Sequence, residues 1–102
     1  MVEPIILKTH IEYSSGSVVS KALKQNPAGS ITLFAFDAGQ GLSEHSAPFD
    51  GVVQVIEGEG HIIIGGEEHV LKEGELIIMP ANVPHAVKAT QKFKMMLVML
   101  RA

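Results

Sequence analysis

Residues Gly74–His85 read GELIIMPANVPH and carry the clearest indication of the fold. A glycine opens this stretch, an apolar run follows over Leu76–Met79, and two prolines frame Pro80–Pro84 ahead of a histidine. A short apolar run bounded by glycine and proline is typical of a buried β-strand that ends in a turn. Because proline restricts the backbone, the two prolines fix the direction in which His85 enters the fold. The stretch predicts a strand, a tight turn and a positioned imidazole.

Short strands separated by turns are predicted on both sides of this stretch. Gly65 and Gly66 predict a two-residue hairpin, since the turns that close such hairpins need positive φ. Further turns are predicted at Ala38–Gly41, Gly58 and Lys72–Gly74. Many short strands at this spacing indicate a sandwich or barrel with little or no helix. The predicted strands are Ile31–Asp37, Val52–Glu57, Gly60–Ile64, Glu68–Leu71, Leu76–Met79, His85–Ala89 and Lys94–Leu100.

The segment Ser17–Lys24 is open to two interpretations. Its apolar residues are spaced as in a short helix, but Gly16 and the turn-forming Pro27–Gly29 bound it, and its neighbours are β. We therefore favour a strand.

A second glycine-bounded cluster, Gly39–Gly51, reads GQGLSEHSAPFDG and runs on to Gly58. Together with Gly74–His85 it resembles the two motifs of the cupin superfamily. The first family motif is a glycine, five residues, His-x-His, three or four residues, a glutamate, six residues and a glycine. The second is a glycine, five residues, Pro-x-Gly, two residues and a histidine.

The matches and departures can be assigned position by position. The first motif is matched by Gly39, His45 and Gly58, whereas Ala47 stands for its second histidine and Gly51 for its glutamate. The second motif is matched by Gly74, Pro80 and His85. Asn82 replaces its glycine, and asparagine, like glycine, tolerates positive φ.

The resemblance implies an all-β antiparallel double-stranded β-helix, or jelly-roll barrel, with a degenerate first motif. We expect one domain, with an amino-terminal arm and first strands over residues 1–30 that pack on a partner subunit, and the barrel over 31–102.

The departures reduce the metal site that the resemblance implies. A cupin metal is held by three imidazoles and one carboxylate, and alanine and glycine supply no donor atom. His45 and His85 remain, with Asp50 as the weakly favoured third ligand. Strand alternation turns Gln54 away from the face of Gly51, and Glu44 away from that of His45. A metal-free polar pair is the alternative. No cofactor is required, and a bound metal would be a divalent ion such as Zn, Fe, Mn or Ni.

The expected ligand pocket is mostly apolar and lies at one end of the barrel. Gln54 either bonds to a neighbouring strand or subunit, or turns inward at a bulge to bind a ligand. His61 and His69 are interpreted as surface or sheet-edge histidines. The predicted pocket residues are His45, His85, Gln54, Met79 and Phe36.

Composition excludes several classes of function. The 102 residues contain no cysteine, which excludes disulfides, thiolate metal sites and cysteine nucleophiles. The net charge is −3 and the lysines are scattered, so no basic face indicates nucleic-acid binding. No apolar run is long enough to cross a membrane, and Met1–Lys8 does not resemble a signal peptide. A cytoplasmic protein is expected.

Two functions follow from these observations. The first is a binding protein of unassigned activity, with a small-molecule ligand at His45 and His85 and weak or no metal. The second is a metal-dependent dioxygenase or isomerase that acts on a small organic acid or sugar-like compound. A structural or regulatory dimer, in which side chains fill the barrel and leave no room for a ligand, is a third hypothesis. Apolar runs such as Val52–Ile56 and Ile62–Ile64 would bury both faces of a strand, which predicts a homodimer.

Overall fold

The structure is a computed structural model that describes residues 2–101. One helical turn precedes eight strands, so the predicted all-β class with little helix is confirmed. The elements are α1 (Leu7–His10), β1 (Val18–Asn26), β2 (Gly29–Phe36), β3 (Gly41–His45), β4 (Asp50–Ile64), β5 (Glu67–Lys72), β6 (Leu76–Met79), β7 (His85–Lys88) and β8 (Phe93–Leu100). Residues 2–101 form no helix with the length and apolarity of a membrane span.

All strand pairs are antiparallel, and β4 joins the two halves of the barrel. Its first half pairs with β6 and β8, and its second half pairs with β5 and β7. The strand order along the sheet is β1-β2-β8-β4-β7-β3. Because β4 lies in both halves, the sheet curls around one interior. We call the half formed by β1, β2, β8, β6 and the start of β4 the first sheet.

Most of the strand pattern was visible in the sequence. The interpretation of residues 17–24 as a strand is confirmed by β1. The predicted hairpin is confirmed as well, since Ile64 pairs with Glu67 and the two glycines between them have φ of 58° and 83°. Two elements were not predicted, namely α1 and β3. The latter follows the expected turn at residues 38–41 and carries His45.

The turn predicted at Gly58 is wrong, because β4 continues through this position. The strand bends at a bulge between Val55 and Glu57, and Gly58 follows with a φ of 78°. A Cβ atom at Gly58 would lie 2.6 Å from the carbonyl oxygen of Lys92. The glycine allows β8 to approach closely and bends the strand without ending it.

Aliphatic side chains and two stacked phenylalanines fill the interior of the barrel. The rings of Phe36 and Phe93 stack at 4.7 Å with an interplanar angle of 8°, and both residues are fully buried. We call the buried residues around them the interior cluster: Phe36, Val53, Val55, Ile62, Leu71, Met79, Val87, Ala89, Phe93 and Met95.

The amino-terminal arm covers part of the outer face of the first sheet. Ile11 is 3% exposed and packs in a second cluster with Leu33, Ala35 and Ile56. Nearby, the hydroxyl group of Tyr13 donates a hydrogen bond of 2.6 Å to a carboxylate oxygen of Glu57. The boundary expected at residue 30 falls within β2, and arm packing on a partner subunit stays a prediction.

Candidate functional site

The two motif histidines face each other across neighbouring strands. His45 ends β3 and His85 begins β7, and the antiparallel register makes them direct partners. Their Nε2 atoms lie 3.2 Å apart, and the rings meet edge to face with centroids 4.4 Å apart. On its other side His85 pairs with Ile64, which packs against the interior cluster. The imidazole pair therefore lies on the inward face, at one end of the barrel.

Backbone carbonyl groups fix which ring nitrogens carry hydrogen. The Nδ1 atom of His45 is 2.7 Å from the carbonyl oxygen of Ser43, and the Nδ1 atom of His85 is 3.2 Å from that of Val83. A carbonyl oxygen only accepts, so each Nδ1 is the donor in these bonds. In the neutral rings both Nε2 atoms then carry a lone pair, and the two atoms lie close together. The pair has the geometry to accept a donor, a proton or a cation.

Burial keeps one member of the pair neutral. His85 is 7% exposed, whereas His45 is exposed. Desolvation is the largest effect and lowers the pKa of His85 from its ordinary value of 6.5. The hydrogen bond with Val83 opposes this shift, and the charge of His45 adds to it. The neutral imidazole of His85 is thus an acceptor over the physiological pH range.

Two loops hold His85 in place. Asn82 has a φ of 68°, as predicted from its place in the motif, and its N–H donates to the carbonyl oxygen of Ala47 at 2.7 Å. The N–H of Ala81 donates to a carboxylate oxygen of Asp50 at 2.8 Å. Asp50 is exposed, and this hydrogen bond links the start of β4 to the loop before β7. Within residues 2–101, no group of three His, Cys, Asp or Glu side chains converges. Metal binding by Asp50 together with the two histidines stays a prediction.

Sulfur and aliphatic groups occupy the space beside Gly51, where the family motif has a glutamate. A Cβ atom at Gly51 would lie 3.0 Å from Cε of Met79, 3.3 Å from Sδ of Met99 and 3.6 Å from a Cδ of Leu97. Met79 is 3% exposed. Met99 and Leu97 were not predicted as neighbours of this position. They are two residues apart in β8, and this spacing places them on the same face of the sheet. A longer side chain at position 51 requires these neighbours to move.

The other two predicted pocket residues make contacts of their own. Phe36 is in the interior cluster against Phe93. Gln54 lies between the buried Val53 and Val55 and therefore points to the opposite face of β4. Its amide nitrogen donates at 3.4 Å to the carbonyl oxygen of Gly74, which lies in the turn between β5 and β6.

The remaining strand histidines make contacts of their own. His61 lies between the carboxylate of Glu68, 2.5 Å from Nδ1, and the hydroxyl of Thr90, 3.3 Å from Nε2. His69 is on β5 with its Nε2 atom 3.6 Å from the carboxylate of Glu67, and about a third of its side chain is exposed. Neither is brought to the His45–His85 pair.

Comparison with known proteins places the chain in a family. A family model described as a cupin domain matches residues 32–101. The chain belongs to the cupin family. The match includes the positions of both motifs, so the predicted family and the small barrel are confirmed. A comparison with curated protein sequences gives no match.

Several solved cupin structures are similar to this chain. A conserved protein of unknown function from Streptococcus pyogenes has 32% identity and a TM-score of 0.94, with coverage of 100% of this chain and 90% of the other. A cupin superfamily protein from Desulfitobacterium hafniense has 28% identity and a TM-score of 0.93, covering 100% and 94%. Salicylate 1,2-dioxygenase from Pseudoaminobacter salicylatoxidans has 20% identity and a TM-score of 0.75, covering 80% and 25%, which shows the fold alone.

The residues present do not fit the four-ligand metal site of the family pattern. Two of the four positions, Ala47 and Gly51, lack donor atoms, and methionine side chains fill the space beside the second. Two imidazole acceptors remain, without a converging carboxylate among residues 2–101. This donor set leaves two of the four ligand positions of the family pattern unfilled.

Proposed function

We propose that this cupin binds a small molecule with an apolar body and one hydrogen-bond donor, which the histidine pair accepts. The observation that carries the proposal is the 3.2 Å separation of the Nε2 atoms of His45 and His85. Each Nδ1 is already engaged with a carbonyl oxygen, so each Nε2 atom is an acceptor in the neutral ring. A hydroxyl or ammonium group at this point relieves the repulsion between the two lone pairs.

The neighbourhood of Gly51 supports an apolar ligand body. The family motif puts this position at the same site as the histidines, and here thioether and aliphatic groups of Met79, Met99 and Leu97 surround it. Methionine is flexible and adapts its shape to a bound group. Two neutral acceptors beside such a surface favour a weakly polar molecule over a dianion or a phosphate.

Phenol and its methyl ether, anisole, test this proposal as a matched pair of probes. They share an aromatic body, but only phenol donates a hydrogen bond. In calorimetric titrations we expect phenol to bind about tenfold more tightly than anisole, which corresponds to one net hydrogen bond. His85→Ala should remove the preference for phenol, whereas His69→Ala should preserve it. Binding of neither compound would contradict the proposal and favour a purely structural role for the barrel.

A metal-dependent activity is the second candidate, and the same separation favours it. Two nitrogen atoms each about 2.0–2.1 Å from a tetrahedral zinc ion lie about 3.3 Å apart, close to the observed distance. Such a protein would be a dioxygenase or isomerase acting on a small organic acid or sugar-like compound. Solvent would have to complete the ligand set, because the chain supplies two imidazoles.

Metal content separates the two candidates. The purified chain is incubated in turn with Zn, Fe, Mn or Ni, passed over a desalting column and analysed for bound metal. The binding-protein proposal predicts well under one ion per chain with each metal. About one ion per chain, lost in both His45→Ala and His85→Ala, would favour the metal-dependent candidate. The cytoplasmic location stays a prediction.

A further inference from the structure

A threonine, a histidine and a glutamate form a chain of hydrogen bonds on the outer face of the half of the barrel that contains β5 and β7. The Nδ1 atom of His61 lies 2.5 Å from a carboxylate oxygen of Glu68, and its Nε2 atom lies 3.3 Å from the hydroxyl oxygen of Thr90. An ionised carboxylate only accepts hydrogen bonds, so Nδ1 is the donor and Nε2 of the neutral ring is an acceptor. The hydroxyl group of Thr90 therefore donates to Nε2. We call these three residues the outer triad.

The outer triad is brought together by strand pairing from three separate parts of the chain. His61 lies in β4, and its neighbour Ile62 is fully buried, so strand alternation directs His61 outward. Glu68 in β5 pairs with Ile63, which is the next outward position of β4. Thr90 lies in the loop that joins β7 to β8. The arrangement therefore depends on the folded sheet, and no short sequence motif reveals it.

The middle of the outer triad is shielded and its hydroxyl end is open. The side chain of His61 is 19% exposed and that of Glu68 is 50% exposed, and Thr90 is exposed as well. The imidazole is thus held between two partners, while a molecule in solution can reach the hydroxyl group. Thr9 provides a contrast, because its hydroxyl group donates at 3.4 Å to the carbonyl oxygen of Ile6. A carbonyl oxygen is too weakly basic to take up the proton of a hydroxyl group.

The outward neighbours of His61 are a cation on one side and an apolar group on the other. Lys88 of β7 and Val70 of β5 are its two cross-strand partners. Lys88 is exposed, and Val70 is 46% exposed. A cation beside a nucleophile favours a reaction in which negative charge develops in the transition state. The apolar surface of Val70 suits a short apolar group on the reacting molecule.

We propose that Thr90 accepts an acyl group from a small activated ester, with His61 as the general base and Glu68 as a positioning residue. A nucleophile beside a base that a third group orients is the arrangement that nucleophilic acyl transfer requires. The proton of Thr90 passes to Nε2 of His61 as the bond from Oγ1 to the acyl carbon forms. The bond from the acyl carbon to the leaving oxygen then breaks, and the proton passes from Nε2 to that oxygen. The products are an ester of Thr90 and a free alcohol or phenol. This reaction is independent of ligand binding at the His45–His85 pair.

The reagent 4-nitrophenyl acetate tests the proposal on the full chain. The protein is incubated with the reagent at pH 7.5, and mass spectrometry of its peptides follows the acetyl group on each threonine. Thr90 should be acetylated about tenfold faster than Thr9 or more, because His61 takes up the proton of Thr90. His61→Ala should abolish this difference. His69→Ala removes an imidazole beside a different carboxylate and should preserve it.

The positioning role of Glu68 is tested by a rate and by a spectrum. Glu68→Ala should slow the acetylation of Thr90 severalfold. In long-range proton–nitrogen spectra, the same substitution should convert His61 from the form with hydrogen on Nδ1 to a mixture of both neutral forms. Equal acetylation of Thr90 and Thr9 in the wild type would overturn the proposal, and so would an unchanged rate at Thr90 in His61→Ala. An unchanged rate and spectrum in Glu68→Ala would contradict the role given to this carboxylate.

Discussion

The Nε2 atoms of His45 and His85 face each other at 3.2 Å across the β3–β7 pair. Each ring is held by a hydrogen bond from Nδ1 to a carbonyl oxygen two residues earlier in the chain. In the neutral rings both of these nitrogen atoms are acceptors, and a hydrogen-bond donor placed between them relieves their repulsion. The site therefore offers two hydrogen-bond acceptors, and its chemistry differs from that of a four-ligand metal centre.

The stability of the protein should fall as the pH is lowered below 6.5. Burial lowers the pKa of His85 in the folded state, so the unfolded chain binds more protons in this range. The contribution is complete above the unfolded pKa of 6.5, decreases as the pH falls through it, and levels off below the folded pKa. Urea midpoints at pH 7.5 and 5.5 measure the change. His85→Gln should reduce the pH dependence, and an unaltered dependence in that variant would assign the effect to another group.

Restoring the motif glutamate should destabilise the chain. Gly51→Glu directs a side chain at Met79 and Met99, and we expect a loss of about 1–3 kcal/mol from overpacking, with a further cost for burying the carboxyl group. Met79→Ala opens space at the same point, so the double variant should lose less stability than the sum of the two single variants. Urea denaturation of the four proteins gives the coupling. Additive losses would show that the two side chains do not compete for space.

Two glycines with similar backbone angles should respond differently to alanine. Gly39 has a φ of 85° with no atom within 4 Å of its Cβ position, so Gly39→Ala should cost only about 1–2 kcal/mol for the left-handed backbone. Gly58 has a φ of 78°, and its Cβ position lies 2.6 Å from the carbonyl oxygen of Lys92. Gly58→Ala should therefore cost clearly more, with the strand pair β4–β8 disturbed. Equal losses in urea denaturation would refute the close approach.

Removing one hydroxyl should loosen the arm. Tyr13→Phe keeps the ring beneath the ammonium group of Lys94, 4.9 Å from its centroid, but deletes the hydrogen bond with Glu57. We expect a loss of about 1 kcal/mol and faster amide hydrogen exchange in residues 7–13. Exchange in β7, on the other half of the barrel, serves as the internal control. Unchanged exchange in the arm would mean that its other contacts, such as the packing of Ile11, hold it without this hydrogen bond.

The barrel could be predicted well because the local sequence signals for turns and strands agree with one another. The Gly65-Gly66 hairpin, the positive φ of Asn82 and the apolar runs all point to short antiparallel strands. The turn at Gly58 was wrongly predicted because a glycine within a long strand can mark a close approach of the neighbouring backbone as well as a turn. α1 was missed because one helical turn leaves no periodic pattern to detect.

The site was predicted in part. Motif spacing gave His45 and His85, and strand alternation correctly turned Gln54 away from Gly51. The roles of Asp50 and Met99 depend on which loops and strands meet, and a single sequence does not contain that information. Asp50 was a candidate ligand because it is an acid near the vacant glutamate position. One of its carboxylate oxygens accepts a hydrogen bond from the N–H of Ala81, and metal binding by Asp50 stays a prediction.

Nitrogen NMR of the histidine side chains distinguishes the possible protonation states of the His45–His85 pair. In the full-length protein at pH 7.5, long-range proton–nitrogen spectra report which ring nitrogen carries hydrogen. We predict that both rings carry hydrogen on Nδ1, and that phenol, unlike anisole, shifts the Nε2 resonances of His45 and His85. A ring with hydrogen on Nε2 and a bare Nδ1, or equal responses to the two compounds, would contradict the proposed acceptor pair.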